Sequence, residues 1–251
     1  MARDFTFLLY RHLCRALLER HVPVTVAEFI RMHPDNAAII RHDVDKKPQN
    51  ALIMAGIEKS LGLSSTYYFR TVPESFNEDI IKQISDMGHE IGYHYEVLDK
   101  AKGDPHTAIE LFRQELEKFP CKIETICMHG NPVTPWDNRH LWLYYDYKRF
   151  GLTGEAYLSL DFSKIEYFSD TGRSWNDRYS VKDLTSRNGN DRKRIAGTPD
   201  LIDLVKNTSD TICIVTHPQR WNDSWLPWFN ELFCQSIKNI GKSGIIYLKK
   251  R

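Results

Sequence analysis

The chain predicts an α/β fold, a single parallel (β/α) barrel, with 1–251 as one domain and 1–36 as a helical N-terminal extension packed on it. Three observations carry this. Short apolar, β-rich runs alternate with helical patterns, which implies right-handed crossovers and a parallel sheet. The 251 residues suit one barrel, and the sequence shows neither a second core nor a repeat. Polar side chains gather just past strand ends, at Asp43 and Asp45, His94, His129, Asp170 and His217. That is where α/β barrels build active sites, so the sheet is read as closed or nearly closed.

The elements follow in order. Residues 5–21 carry Phe7, Leu8, Leu13, Leu17 and Leu18 at helical spacing. Thr25, with Glu28 at the capping-box position, starts a second short helix reaching Met32. Residues 37–45 form the first core strand, 48–61 a helix stopped by Gly62, 65–71 a strand, and 77–87 an amphipathic helix ending at Gly88. A strand over 90–95, a helix over 106–119, a strand over 123–128 and a helix over 138–147 continue the pattern. Two shorter strands fall within 151–170, and 175–198 is polar and irregular, most loop-like at 186–194. A short helix over 199–206, a strongly apolar strand over 211–216, an aromatic-rich helix over 224–240 and a last strand over 244–248 complete the chain.

Composition narrows the function classes. With 41% hydrophobic and 27% charged residues, the chain reads as an ordinary globular protein. The net charge of +1 points to neither nucleic acid nor an anionic membrane as a partner. Cys14, Cys121, Cys127, Cys213 and Cys234 are odd in number and lack CxxC spacing, which argues for buried thiols in a reducing compartment. Asp4, Arg11, His12 and Arg15 break up any signal-peptide core, and no apolar run is long enough to span a bilayer. A cytoplasmic location is the expectation. Aromatic residues make up 12% and mostly fill core; the segment 221–229 is read as packing, although it could form a sugar platform.

The chemistry centres on Ile39-Ile40-Arg41-His42-Asp43-Val44-Asp45. An apolar strand ending in Arg, His and two carboxylates makes sense if it delivers charge into a pocket. Asp43 and Asp45 point to the same side in extended chain, where like charges conflict unless a cation or a division of roles separates them. Read this way, Asp45 is a metal ligand and Asp43 the base of a metal-assisted hydrolysis. A helix-capping Asp before Pro48 and a carboxylate salt-bridged to Arg41 are the structural alternative. His94 lies beyond Gly88 and Gly92 at the end of its strand, while His89 and Glu90 fall at the turn before it and are read as structural. Met128-His129-Gly130-Asn131-Pro132 and Thr216-His217-Pro218 each put a histidine at a strand end.

The combination of Arg41-His42-Asp43-Val44-Asp45, Gly88 to His94, Met128 to Pro132, Ser169-Asp170-Thr171-Gly172 and Thr216-His217-Pro218 resembles the polysaccharide-deacetylase (NodB-homology, carbohydrate esterase) superfamily. Within it the chain is similar to a branch in which RHDVD replaces TFDD, and the match runs from about residue 37 onward. The resemblance implies a distorted parallel (β/α) barrel and a divalent metal, first of all Zn2+, with Co2+, Ni2+ or Mn2+ as alternatives. It implies removal of N- or O-acetyl groups from sugars. It makes Asp43 the base, Asp45 and His94 metal ligands, His217 the general acid and Asp170 the carboxylate orienting a catalytic histidine, with Arg41, Trp175 and Asn131 lining the pocket.

The family's usual second histidine, four residues after the first, is replaced here by Leu98. A third ligand must come from elsewhere: His129 is the first choice and Glu96 the second. The expected partner is an acetylated sugar or glycan precursor, nucleotide- or lipid-linked, for a bacterial surface polysaccharide such as O-antigen. Two other readings stay open: a related hydrolase of a non-sugar C–N bond, and a catalytically silent sugar-binding relative.

Overall fold

The computed structural model describes residues 3–175 and 195–249, with side chains described as far as residue 240. Thr6 opens the first helix, α1 (Phe7–Arg20), its hydroxyl accepting the Leu9 amide at 3.2 Å and satisfying one orphan donor. A short strand, β1 (Val22–Val24), then pairs in parallel with the start of the next strand. Three residues including a proline are too few to show alternation in sequence, so nothing in the pattern announces it. Thr25 and Glu28 form the reciprocal capping box of α2 (Val26–Met32) that their spacing predicts.

The central strand is β2 (Ala37–Val44), buried at every position. It is followed by α3 (Pro48–Ser60), β3 (Thr66–Phe69), α4 (Glu78–Asp86), β4 (Glu90–Tyr95), the short α5 (Val97–Lys100), α6 (Pro105–Leu116), β5 (Thr125–Met128), β6 (Gly154–Glu155), β7 (Glu166–Ser169), α7 (Thr198–Asn207), β8 (Ile212–Thr216) and α8 (Trp225–Lys249). Two expectations are corrected. The helix expected over 138–147 is two 3-10 turns, Asn138–Leu143 and Tyr147–Phe150. Asp137 and Asp146 each accept the amide two residues on and so restart a turn instead of extending a helix. The strand expected over 244–248 is the continuation of α8; a five-residue apolar run does not by itself distinguish strand from helix.

Every pairing among the described residues is parallel, in the order β6-β5-β4-β3-β2-β8-β7, with β1 beside the start of β2. Taken as a circle, that order follows the chain from β2 to β8. The strands therefore trace a distorted barrel whose unpaired seam, among the described residues, lies between β6 and β7. Side chains fill the seam: Phe162 packs against Tyr157 and Tyr167, whose hydroxyls are 3.5 Å apart.

The pleat sorts residues between two layers. Ile39, Tyr68, Cys127, Cys213 and Val215 cluster inside the barrel. Their strand neighbours Ile40, Tyr67, Ile126 and Ile214 pack outward under the helices. Gly92 belongs to the inner face, where a Cβ would come within 2.3 Å of the Tyr68 ring. Its close approach serves the barrel interior. No helix among the described residues is long and apolar enough to cross a membrane.

Candidate metal centre and active site

Period-two alternation carries the inward face of each strand into the turn that follows it. On β2 that face runs Ile39, Arg41, Asp43 and continues to Asp45; on β4 it ends at His94; past β5 and β8 it reaches His129 and His217. Because the strands are parallel, all of these ends meet at one rim.

Three donor atoms converge there. Asp45 Oδ1 is 3.6 Å from His94 Nε2 and 3.6 Å from His129 Nε2, and the three residues' ligand atoms lie within 4.8 Å of one another. Ligands held about 2.1 Å from a tetrahedral zinc stand roughly 3.4 Å apart, so the spacing fits. The ring orientations fit as well. His94 Nδ1 is 3.0 Å from the Cys127 carbonyl, which can only accept, so Nδ1 carries the proton and Nε2 turns its lone pair to the cavity. Glu96 Oε2 lies 3.0 Å from His129 Nδ1, and Arg70 holds both oxygens of that carboxylate, at 2.9 and 2.7 Å.

Glu96, the second-choice third ligand, thus stands on the Nδ1 side of His129, where an orienting carboxylate lies, although Nδ1 makes no well-aligned hydrogen bond to it. Asp45 Oδ1 is buried without a hydrogen-bond partner, while Oδ2 accepts from Gln219 Nε2 at 3.1 Å. An orphaned carboxylate oxygen aimed at two imidazole lone pairs is a site for a cation.

Protonation states agree. Burial pushes the Asp45 carboxyl up, but His129, His217 and His94 outweigh it and hold the group below its ordinary value. Burial, against the pull of Asp43, depresses His94 to about 4, so at neutral pH it is the neutral ring that metals require. Glu96 resists its burial and sits at about 2 because of His129 and Arg70. Asp43, His94 and Cys127 form a second possible grouping. It is the poorer cation site, because Asp43 Oδ2 already accepts from the fully buried Arg41 at 3.0 Å.

Asp43 and His217 flank the centre. Arg41 grips Asp43 on one side and the Tyr157 hydroxyl, at 2.8 Å, on the other, with its guanidinium 4.5 Å from the Tyr157 ring centre. Burial would raise the Asp43 carboxyl; Arg41, then His94 and His217, hold it lower. Its Oδ1 is buried and unpartnered. His217 Nδ1 lies 2.6 Å from Asp170 Oδ1, which leaves Nε2 3.9 Å from Asp45 Oδ2. Asp170 also accepts from Arg220, from the His217 amide at 3.0 Å and from Trp221 Nε1 at 2.8 Å. Burial opposes its ionisation, but Arg220 and His217 bring it to about 2.

A cavity of about 510 Å³ opens onto these groups, its wall including Asp43, Asp45, His94, His129, Asn131 and His217. Two residues assigned to the pocket wall lie elsewhere. Arg41 is beneath the floor with no exposure, and Trp175 packs between Phe5 and Trp221 with its Nε1 donating to Thr198 at 3.1 Å. Leu98 is buried in the outer core, so the position of the missing histidine faces away from the chemistry. Arg70, Tyr157, Gln219 and Arg220 were not singled out by sequence. Arg70, Tyr157 and Gln219 all sit just past strand ends, the signal that marked the others, but β6 before Tyr157 is only two residues long and gives no pattern of its own.

No protein-family model and no curated protein matches the chain. Among solved structures it is similar to a CE4 family pseudoenzyme from Bacillus anthracis, at 12% identity over 83% of this chain and 62% of that one, with a TM-score of 0.42. A mutant CE4 family pseudoenzyme with restored enzymatic activity aligns at 12% identity over 83% and 64%, with a TM-score of 0.40. The Xyl-CE4 domain of a multidomain xylanase from the hindgut metagenome of Trinervitermes trinervoides aligns at 12% identity over 85% and 82%, with a TM-score of 0.37. The chain spans less than two thirds of the pseudoenzyme structures it resembles.

Proposed function

We propose that this chain is a metal-dependent hydrolase that removes an N- or O-linked acetyl group from a sugar, a precursor of a surface polysaccharide such as O-antigen. The observation that carries the reading is the convergence of Asp45, His94 and His129 with Asp43 and His217 on either flank. Zinc is the first-choice ion, because one carboxylate and two imidazoles leave a position open for substrate. Lys46 and Lys238 on the cavity wall suit a sugar carried on a phosphate.

A divalent ion held by Asp45, His94 and His129 would supply Lewis acidity toward an acyl carbonyl and lower the pKa of a water. The remaining work falls to the chain. Asp43, kept ionised by Arg41 and with its Oδ1 free of any hydrogen bond, takes the proton from the attacking water. His217, its Nδ1 fixed by Asp170, presents Nε2 to the leaving nitrogen or oxygen and delivers a proton there. Glu96 and Gln219 hold His129 and Asp45 in place, so that the geometry exists before substrate arrives.

The test is metal analysis of protein prepared without chelator, followed by acetate release from acetylated amino sugars. One zinc or cobalt per chain with turnover, both lost in Asp45→Ala, is the expected result. No stoichiometric ion after zinc or cobalt addition overturns the hydrolase. Bound metal with hydrolysis of cyclic amides and no acetate release moves the substrate to a non-sugar C–N bond.

A further inference from the structure

The last helix has its polarity reversed. The side of α8 against the barrel is held by polar contacts: Trp228 Nε1 donates to the Asp4 carbonyl at 2.6 Å, Glu231 is 3.6 Å from Lys47 Nζ, and Asn239 donates to the Gly172 carbonyl at 2.9 Å. Gln235, on the same side, is buried. The opposite side carries Trp225, Leu226, Phe229, Phe233, Ile237 and Ile240, each between 55% and 75% exposed. At about 100° per residue, 229, 233, 237 and 240 form one continuous stripe. A water-facing row of large apolar side chains at helical spacing marks a surface that something covers.

Charge says what covers it. The whole chain carries only +1, but its positive charge is concentrated here: from Leu232 to Arg251 the sequence contains Lys238, Lys242, Lys249, Lys250 and Arg251 and no Asp or Glu. A second copy laid parallel to this helix would bring like charges together, whereas an anionic lipid surface complements them. Tryptophan and phenylalanine on one side with lysine on another is the composition of a helix that lies in the membrane interface.

We propose that α8 docks this protein on an anionic bilayer surface, lying in its plane with the stripe Phe229, Phe233, Ile237 and Ile240 in the acyl boundary. Glu231, Gln235 and Lys238, on the other side of the same helix, line the cavity, so the helix that docks is also part of the cavity wall. The docking does not depend on the chemistry proposed above.

The full chain is mixed with vesicles of phosphatidylcholine alone or with about 30 mol% phosphatidylglycerol, and the bound fraction is read by flotation at low and high salt. Partition into the anionic vesicles alone, weakened by salt and lowered about tenfold or more in Phe229→Glu/Phe233→Glu, is the expected result. Metal content and circular dichroism of that variant stay unchanged, which separates this result from any failure at the metal centre. No partition, equal partition into phosphatidylcholine, or partition indifferent to the two substitutions overturns the proposal. So does a dimer in light scattering that the same variant converts to monomer while wild type ignores vesicles, because the stripe then belongs to a second copy.

Discussion

Asp43 and Asp45 are two residues apart on one strand face and differ in their company. Asp43 is paired with a buried guanidinium that cannot lose its proton, so its charge is balanced without a metal. Asp45 has one oxygen held by Gln219 and the other directed between two imidazoles. This division separates base from ligand and predicts different losses. Asp43→Asn keeps the ion and lowers turnover roughly 10²–10⁴-fold, measured as kcat on metal-loaded protein. Unchanged turnover with full metal would remove Asp43 from the role of base. The pair was legible in sequence because a two-residue spacing and an abrupt polar strand end both show there. Their partners Arg70 and Gln219 were not, since hydrogen bonds between strand ends depend on which strands are neighbours.

At the scale of elements, alternation transmits burial information into the site. Each inward residue of β2, β4, β5 and β8 is followed two positions later by another, so the strands that build the core also aim Asp45, His94, His129 and His217. Gly92 is where this packing is tightest, with a Cβ at 2.3 Å from Tyr68 and 3.0 Å from the Thr125 carbonyl. Gly92→Ala should cost about 1–3 kcal/mol, seen as a Tm several degrees lower, because Tyr68 and two backbones would have to move. An unchanged Tm would mean that the interior is looser than its contacts. The start of α2 was readable from Thr25, which caps its helix as the capping-box spacing dictates; Asn77 and Asp104 cap α4 and α6 in the same way, accepting the Ile80 and Thr107 amides. The reversed face of α8 was not, because periodicity shows that one side is apolar without showing which side meets the barrel.

The whole molecule is tied together by a buried carboxylate that is not part of the cavity wall. Glu58 of α3 accepts from Tyr10 of α1, from Ser65 and Tyr67 at 2.7 Å each, and pairs with His42 of β2 at 2.9 Å. Burial pushes its carboxyl up, but His42, by charge and hydrogen bond, then His89 and Tyr10 bring it down from 4.5 to about 2. A carboxyl lowered on folding stabilises the protein above its unfolded pKa and loses that contribution as pH falls through the folded one. Stability should therefore decline between about pH 4.5 and 2, with Glu58 accounting for on the order of 3 kcal/mol. Asp170, also at about 2, acts in the same direction. Thermal unfolding followed from pH 6 to 3 should show the decline, shallower in Glu58→Gln; an equal slope in that variant would sink the assignment.

The alternation of the main strands and helices, the face each strand buries and the residue types at its end were determined by the sequence, because periodicity and capping are properties of neighbours along the chain; β1, the two 3-10 turns after β5 and the helical end of α8 were not. What only the tertiary structure decided was convergence: that His129 stands where Leu98 cannot, that Glu96 supports it, that Trp175 packs in the core, and that the apolar side of α8 faces outward. Each of these depends on which distant segments come within a few ångströms, and that is set by how the strands curl into a barrel.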